Sequence, residues 1–212
     1  MLEGVTDSQL TAEALLHAYA VGLFPMARSR GSERIDWFCP DPRAVLPLDD
    51  RFRIRRSLAK RIRNAGFTFA FDRDFRAVVD ACSRPRSDSS DTWISPRIAR
   101  VYTELHMRGH AHSVEAWRGD RLVGGLYGVA LGGAFFGESM FSREKDASQT
   151  CLVTLVHHLR RRGYRLLDTQ FVNPHLEQFG VETISRSDYL RSLDEAVAMP
   201  VTWNDGADEA VG

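Results

Sequence analysis

The sequence contains few cysteines and no recognisable metal-binding spacing. Its three cysteines, Cys39, Cys82 and Cys151, are isolated and form no C-x-x-C pair. We therefore expect neither a disulfide framework nor a zinc site built on cysteine. The seven histidines lack the H-E-x-x-H spacing and other common ligand spacings. No bound metal is expected.

Long apolar runs are also missing. No stretch approaches the roughly 20 apolar residues that a membrane-spanning helix needs. The amino end lacks the basic and then apolar layout of a secretory signal. We therefore expect a cytoplasmic protein without a membrane partner. Its 212 residues, 43% of them hydrophobic, are enough for one good core and a small second lobe.

The sequence lacks the motifs of nucleotide-dependent and nucleophilic enzymes. It has no Walker loop and no G-x-G-x-x-G before a helix, so we expect no nucleotide cofactor. Ser139 and Ser142 lie outside any G-x-S-x-G context, and no cysteine forms an interpretable motif with a histidine. His110 and His112 lie where a helix meets a strand, and a structural role is the simpler interpretation.

Lysine is scarce, and the most basic segment of the chain is therefore rich in arginine. Residues 53–64 have a helical period, because Ile54, Leu58 and Ile62 recur every four residues. Six cations fill other positions: Arg53, Arg55, Arg56, Lys60, Arg61 and Arg63. No acidic residue stands among them to form i,i+4 pairs. Two interpretations remain open, a solvated surface helix and a helix that binds a polyanion.

Residues 124–143 form the centre of the predicted fold. They are typical of two strands around a glycine turn, and residues 112–117 pair naturally with the first of them. A helix at 147–162 then leads to a strand near 164–167. Together these elements predict an α/β (α+β) fold with a mixed, mostly antiparallel sheet. Because glycine weakens a strand unless something comes close, we expect a sheet surface against which another group lies.

Several local patterns supply further expectations. Thr11 can cap a helix that Gly22 ends, which leaves residues 22–26 as an apolar loop before a strand at 35–38. Asp146 with Gln149 is typical of a capping box. A weak boundary near residue 40 divides the chain into a small amino-terminal domain (1–39), a main domain (40–200) and a flexible tail (201–212).

Polar residues at two predicted strands are the candidate catalytic groups. Glu138 stands between small residues and is followed by Met140 and Phe141. Asp168 and Gln170, two residues apart in an extended segment, are expected to point the same way. The ends of these strands can come close, so two carboxylates and an amide would converge. The alternative interpretation, a hydrogen-bonded network that fixes the sheet, carries equal weight.

Several segments together resemble the leucyl/phenylalanyl-tRNA-protein transferase family. The resemblance covers the chain from about residue 10 to about residue 192. The segments that carry it are GLFPM (22–26), PDPRAVLP (40–47), DTWI (91–94), GHAHSVEAW (109–117), VGGLYGVALGGAFFGESMFSR (123–143), DASQT (146–150) and LLDTQF (166–171).

This resemblance implies transfer of Leu or Phe, with Met a third candidate, from charged tRNA to the α-amine of proteins that begin with Arg or Lys. The product would be an amino-terminal degron. The implied fold is a small amino-terminal domain followed by a domain like the GNAT acetyltransferases. Aminoacyl-tRNA would be a substrate, with no cofactor. We expect a monomer.

The resemblance also assigns roles residue by residue. Asp168 and Gln170 match the catalytic acid and amide of a D-x-Q element, and Glu138 matches a carboxylate near the reacting amine. Trp93 matches a tryptophan that stacks on the terminal adenine of tRNA, while Met26 stands where a second tryptophan is common. The implied aminoacyl pocket consists of Leu126, Phe135, Leu152, Leu155 and Leu167. Independently of the motifs, we expect the basic segment to bind the tRNA backbone through Arg53, Arg55, Arg56, Lys60 and Arg63.

Two rival functions remain. A CoA-dependent N-acetyltransferase would share the fold, but it needs a glycine-rich pyrophosphate cradle before the helix at 147–162. The preceding residues, SREKDASQT, contain no such cradle. A non-catalytic tRNA-binding module would explain the arginines and would tolerate the loss of Asp168 and Gln170.

Overall fold

The computed structural model describes residues 10–32, 34–85 and 91–204. These residues form both helices and strands. The helices are α1 (Ala12–Ala20), α2 (Arg56–Asn64), α3 (Phe75–Cys82), α4 (Pro96–Met107), α5 (Ala147–Arg162), α6 (Pro174–Glu177) and α7 (Arg186–Val197). The strands are β1 (Phe24–Ala27), β2 (Ile35–Phe38), β3 (Arg43–Leu46), β4 (Thr68–Phe71), β5 (Ala111–Arg118), β6 (Arg121–Leu131), β7 (Ala134–Ser142), β8 (Leu166–Gln170) and β9 (Glu182–Ile184).

A seven-stranded sheet with the order β4-β5-β6-β7-β8-β3-β9 forms the centre of the fold. The pair β7 and β8 is parallel, and the other neighbouring pairs are antiparallel. The predicted meander of β5, β6 and β7 is confirmed, as is the mixed, mostly antiparallel sheet. Strands β1 and β2 form a separate two-stranded antiparallel sheet.

Alternating strand residues divide the core into two layers. Side chains of α1, α3, α4 and α7 pack in one hydrophobic cluster with β1, β2 and one face of the large sheet. Side chains of α2 and α5 pack in a second cluster with the opposite face. The sheet is thus covered on both faces, as expected for a mixed α/β fold. The domain boundary near residue 40 stays a prediction.

Local capping explains where several helices begin. The Thr11 side chain accepts a hydrogen bond from Ala14 N at 3.1 Å, and the Ser95 side chain does the same for Ile98 N at 3.3 Å. Side-chain oxygens at these positions satisfy amides that a helix leaves unpaired. The predicted capping box at α5 is wrong. Asp146 makes no capping bond there, and its carboxylate pairs with Arg61 at 3.0 Å.

Three other local predictions need correction. Residues 24–27 are strand β1 rather than loop, since they pair with β2. The basic helix begins at Arg56, three residues later than its periodic pattern. Strand β3 was not predicted, although it lies between β8 and β9. Its four residues follow a turn with two prolines and are too few to show a period.

The predicted flexible tail at 201–212 is wrong for its first four residues, and residues 205–212 lie outside the described part of the chain. Trp203 is buried, and its ring lies 4.3 Å from those of both His112 and His158. The Arg162 guanidinium donates hydrogen bonds to the carbonyl oxygens of Thr202 and Asn204 at 2.9 and 2.8 Å. Aromatic burial and these bonds hold the segment on the sheet's α5 face.

Other parts of the same chain pack directly against two glycines of the β6–β7 hairpin. A Cβ atom at Gly124 would lie 2.4 Å from the Cβ of Ala147 in α5. At Gly128 it would lie 2.4 Å from the ring of Phe135 and 2.2 Å from the carbonyl oxygen of Phe136. Something does lie against this sheet, as predicted. At these two positions it is helix α5 and neighbouring parts of β7.

Candidate active site

Strands β7 and β8 separate partway along their length, and a cavity opens between them. They pair from Ala134 with Leu166 to Phe136 with Asp168. Beyond that point, residues 137–140 line one wall of the cavity and residues 169–173 line the other. The volume is about 260 Å³. Splayed parallel strands therefore create a cleft within the sheet itself.

Leucines form the apolar part of this cavity. Four of the five predicted pocket residues line it: Leu126, Leu152, Leu155 and Leu167. Phe135 does not. Its side chain is fully buried behind the cavity, where its ring stacks on Trp203 at 5.5 Å. Leu176 and Met140, which the sequence did not single out, complete the apolar lining.

Glu138 lies on the cavity wall in the middle of β7, not at a strand end. The pairing shifts so that Tyr127 opposes Ser139 and Gly128 opposes Gly137, which leaves Glu138 as the extra residue of a β-bulge. A bulge re-aims a side chain and often accompanies an active site. The irregular pairing therefore explains how one carboxylate in a mostly apolar strand faces the cavity.

Two tyrosines hold the Glu138 carboxyl group. The Tyr19 hydroxyl oxygen of α1 lies 2.6 Å from Oε1, and the Tyr102 hydroxyl oxygen of α4 lies 2.6 Å from Oε2. Burial raises the pKa of Glu138 to about 7, against the lowering effect of both hydroxyl groups. A group with such a pKa can gain or lose a proton near neutral pH.

Asp168 is buried and does not line the cavity. Its two oxygens accept hydrogen bonds from Nε and Nη2 of Arg43 at 2.9 and 2.6 Å. The hydroxyl group of Tyr189 donates a further bond at 2.7 Å. Both side chains of the ion pair are fully inaccessible to solvent. Bidentate geometry of this kind fixes both partners.

Arg43 is the functional candidate that the sequence did not reveal. Its guanidinium lies between the rings of Phe24 and Tyr189, with Cζ at 4.8 and 4.4 Å from the ring centroids. Nη1 donates to the carbonyl oxygen of Gly22 at 3.0 Å. Burial lowers the pKa of Arg43, but the bonds to Asp168 outweigh this effect and raise it. The only local signal was a cation beside apolar residues in the PDPRAVLP segment.

Gln170 occupies a strained position at the cavity. Its φ is +61°, in the left-handed region that residues other than glycine rarely adopt. Its backbone N–H donates to Asp168 Oδ1 at 2.9 Å. Its side-chain Nε2 is buried and has no hydrogen-bond partner among the described residues. A strained backbone and an unpaired buried amide together indicate a functional group.

The turn at Gln170 also corrects the predicted orientation of the D-x-Q segment. In a regular strand, side chains two residues apart share a face. The left-handed backbone breaks this alternation, so Gln170 lines the cavity while Asp168 remains buried beside Arg43. Asp168 contacts the Gln170 backbone rather than its amide side chain. A hydrogen-bonded network therefore supports a polar side chain that lines the cavity.

Aromatic and apolar side chains surround the mouth of the cavity. Trp93 and Met26 both line it, together with Phe24. Phe171 and Val172 are each 47% exposed at the same rim. Trp93 and Met26 also line an adjoining pocket of about 330 Å³. The mouth thus offers flat apolar surface to a ligand that enters the cavity.

Helix α2 presents cations without ion-pair partners. Leu58 is buried and Arg61 pairs with Asp146. Within the described ranges, no ion pair involves the other five cations: Arg53, Arg55, Arg56, Lys60 and Arg63. Arg53 N donates to the carbonyl oxygen of Phe179. Phe179 follows α6, whose residue Leu176 lines the cavity, so the basic surface begins close to the cleft.

A separate group of Asp72, His106 and His112 has ligand atoms within 4.8 Å of one another. These atoms already have protein partners. Nδ1 of His112 lies 2.8 Å from Asp72 Oδ2, and Nδ1 of His106 lies 2.8 Å from the carbonyl oxygen of Ala111. Such bonds explain the cluster without an ion. The absence of a metal site stays a prediction.

Comparisons with family models and with known sequences point to one family. A family model described as leucyl/phenylalanyl-tRNA protein transferase matches residues 45–194, and one for its N-terminal domain matches residues 8–41. A leucyl/phenylalanyl-tRNA--protein transferase from Rhizorhabdus wittichii is 54% identical over 187 residues, which cover 88% of this chain and 75% of the relative. One from Maricaulis maris is 50% identical over 201 residues, covering 95% of this chain and 93% of the relative.

A structural comparison gives a more distant likeness. A GCN5-related N-acetyltransferase-like protein from Streptococcus suis is 13% identical, with a TM-score of 0.36, over 84% of this chain and 66% of the other. Similarity at this level does not indicate which reaction the protein catalyses. No helix among the described residues has the length and apolar character to cross a membrane.

Proposed function

The chain belongs to the leucyl/phenylalanyl-tRNA protein transferase family, and we propose that it transfers Leu or Phe from aminoacyl-tRNA to the α-amine of proteins that begin with Arg or Lys. Its class is therefore that of an aminoacyltransferase. Met is a third candidate donor amino acid. The modified amino terminus would act as a degron. Aminoacyl-tRNA serves as a substrate, and the reaction needs no cofactor.

The cavity between β7 and β8 is the observation that carries this proposal. Its leucine-lined part suits an apolar side chain of about the size of Leu or Phe. Glu138 and Gln170 supply polar groups on opposite walls. An aminoacyl ester could therefore bury its side chain while its carbonyl group stays near both polar residues.

The chemistry is aminolysis of an activated ester. The incoming amine must be neutral and aligned with the carbonyl carbon, and the carbonyl oxygen must be stabilised as charge develops. Gln170 is suited to position the amine, because an amide is a poor base. Asp168 and Arg43 act indirectly as positioning residues, since Asp168 holds the strained backbone of Gln170.

Two surfaces support binding of the tRNA. Trp93 and Met26 at the cavity mouth suit the terminal adenine, with stacking on the indole and contact with the thioether. The five cations of residues 53–63 that form no ion pair among the described residues lie in α2 or just before it, and they suit the phosphate backbone. The Arg53 contact with Phe179 brings this helix near α6 and the cavity. A single tRNA acceptor arm could then reach both surfaces.

The beginning of α5 argues against a CoA-dependent acetyltransferase. A pyrophosphate would need free backbone amides at that helix end. Ala147 N already donates to the carbonyl oxygen of Glu144, and Ser148 N donates to Ser142 Oγ at 2.9 Å. The helix end therefore lacks the free amides of a pyrophosphate cradle.

A non-catalytic tRNA-binding module is the other rival. It would use α2 and Trp93 and would tolerate loss of Gln170. The unpaired amide and strained backbone of Gln170 favour the enzyme. We further propose that the protein works as a cytoplasmic monomer, with residues 1–39 as a small amino-terminal domain.

The first experiment incubates the protein with leucine-charged tRNA and a peptide that begins with Arg. Mass spectrometry would show the peptide gaining one leucyl residue, while a peptide that begins with Ala would stay unchanged. Acetyl-CoA with either peptide is the control for the acetyltransferase. Tight tRNA binding without a leucyl product would favour the binding module, and acetylation would reject the proposed function.

A further inference from the structure

Three oxygen atoms beside the cavity lie unusually close to one another. Tyr19 and Tyr102 each contact a different oxygen of Glu138 at 2.6 Å. Their own hydroxyl oxygens are also 2.6 Å apart. At this distance each O···O contact requires a proton between the two oxygens. Three contacts therefore require three protons.

The number of protons that these contacts require determines which protonation state of Glu138 they favour. Each tyrosine hydroxyl carries one proton, which accounts for two contacts. Burial and the nearby carboxyl group keep the pKa of both tyrosines well above the ordinary value, so neither hydroxyl is ionised near neutral pH. The third proton must belong to Glu138. With an ionised Glu138, one of the three contacts would be unprotonated and repulsive.

We infer that Tyr19 and Tyr102 are positioning residues that close a three-proton ring on a neutral Glu138 in the free protein, and that ionised Glu138 accepts the proton of the acceptor α-ammonium. The second step deepens the proposed function and depends on it. The first concerns the free protein alone. Glu138 lines the cavity, so its proton can exchange with a group bound there.

The surrounding charges permit both protonation states. Asp168 of β8 favours the neutral form of Glu138, and Arg43 of β3 favours the ionised form. Because these two residues form an ion pair, their effects on Glu138 oppose each other. Tyr127 of β6 also faces the cavity, and its buried hydroxyl group has no hydrogen-bond partner in the described ranges. After burial, the ring tyrosines therefore have the largest effect on how easily Glu138 ionises.

The proposed step balances in protons and bonds. The α-ammonium gives one proton to ionised Glu138 and becomes a neutral amine. The amine nitrogen attacks the ester carbonyl carbon, a C–N bond forms, and the bond from this carbon to the tRNA ribose oxygen breaks. The second amine proton goes to that departing oxygen. Glu138 then releases its proton to water.

Infrared difference spectra of the free protein would test the ring directly. The variant Glu138→Gln identifies the protonated carboxyl band of Glu138, whose pH titration then gives a midpoint. Tyr19→Phe and Tyr102→Phe should each lower that midpoint by about one pH unit. Either change removes the Tyr19–Tyr102 contact that ionised Glu138 would leave repulsive, and this gain for the ionised form outweighs its loss of one hydrogen bond. The same variants should move the midpoint of kcat/KM to lower pH.

Tyr164→Phe is the matched control, since Tyr164 is buried in the α5-side core and should leave both midpoints unchanged. A Glu138 carboxyl that stays ionised down to about pH 5 would overturn the inference, as would unshifted midpoints in both ring variants. A titration as expected in a protein that transfers no leucine would support the ring but reject the proton transfer and the proposed function.

Discussion

The buried ion pair of Arg43 and Asp168 allows us to predict how much the free energy of unfolding falls when one partner is replaced. Replacing Arg43 with Met leaves the Asp168 carboxylate with the Tyr189 hydroxyl and the Gln170 N–H as partners. Because both charged side chains are fully inaccessible, the free energy of unfolding should fall by about 3–5 kcal/mol. Asp168→Asn should cause a comparable loss, since it leaves the Arg43 charge without its counter-ion.

The double variant should be less destabilised than the sum of the single variants. It contains no isolated buried charge, so the two losses should couple by about 2 kcal/mol or more. Urea unfolding followed by tryptophan fluorescence measures each free energy. The exposed pair of Arg118 and Glu144 is the control and should show a much smaller coupling. Additive losses at Arg43 and Asp168, within about 0.5 kcal/mol, would refute the argument.

Stability and activity should separate in this double variant. Its regained stability would come from the absence of an unpaired charge, whereas Gln170 would still lack a charged acceptor for its backbone N–H. Turnover of leucine-charged tRNA should therefore stay low in a protein that unfolds normally. Activity that recovers in parallel with stability would mean that the pair has a purely structural role.

Three further predictions concern the cleft and the tRNA surface. Gln170→Ala should lower kcat by about 10²–10³-fold with little change in the Kd for charged tRNA. Single-turnover kinetics measures the first effect and filter binding the second. An equal change in both constants would contradict a positioning role. Leu155→Phe should narrow the cavity and reduce kcat/KM for Phe more than for Leu, whereas an unchanged ratio in competition assays would place the donor side chain elsewhere. Replacing Arg55, Arg56 and Lys60 with Gln should reduce the slope of log K against log salt by about 2–3, and an unaltered slope would remove α2 from the interface.

The sequence predicted the parts of this fold whose signals are local. The meander, helix α5 and the cap at Thr11 depend on patterns within a few residues of one another. Arg43 shows the opposite case. Its role depends on Asp168, 125 residues away, and on the rings of Phe24 and Tyr189. No short window of sequence contains those partners, so a cation in a four-residue strand gave no sign of burial.

The glycine and aromatic residues show a second limit of prediction from the sequence. The sequence could indicate that something approaches the β6–β7 hairpin, but not whether it is a ligand or the chain itself. The Phe135 ring lies against Gly128, where a side chain would collide with it. This contact explains why residue 128 is glycine and also why Phe135 is buried away from the cavity that it was predicted to line.

The two carboxylates of the site are neutralised by different means, and this difference separates their roles. Asp168 forms an ion pair with Arg43 and does not line the cavity, so it holds its neighbours in place and does not meet the substrate. Glu138 has two phenol groups in place of a counter-ion and faces the cavity. Its charge can therefore change when an ammonium group enters. Two acids in different environments are the usual basis for dividing structural from proton-transfer work. The splayed strands β7 and β8 carry one of these acids each, so the titrating Glu138 lines one wall of the cavity while Asp168 holds the backbone of Gln170 on the other wall.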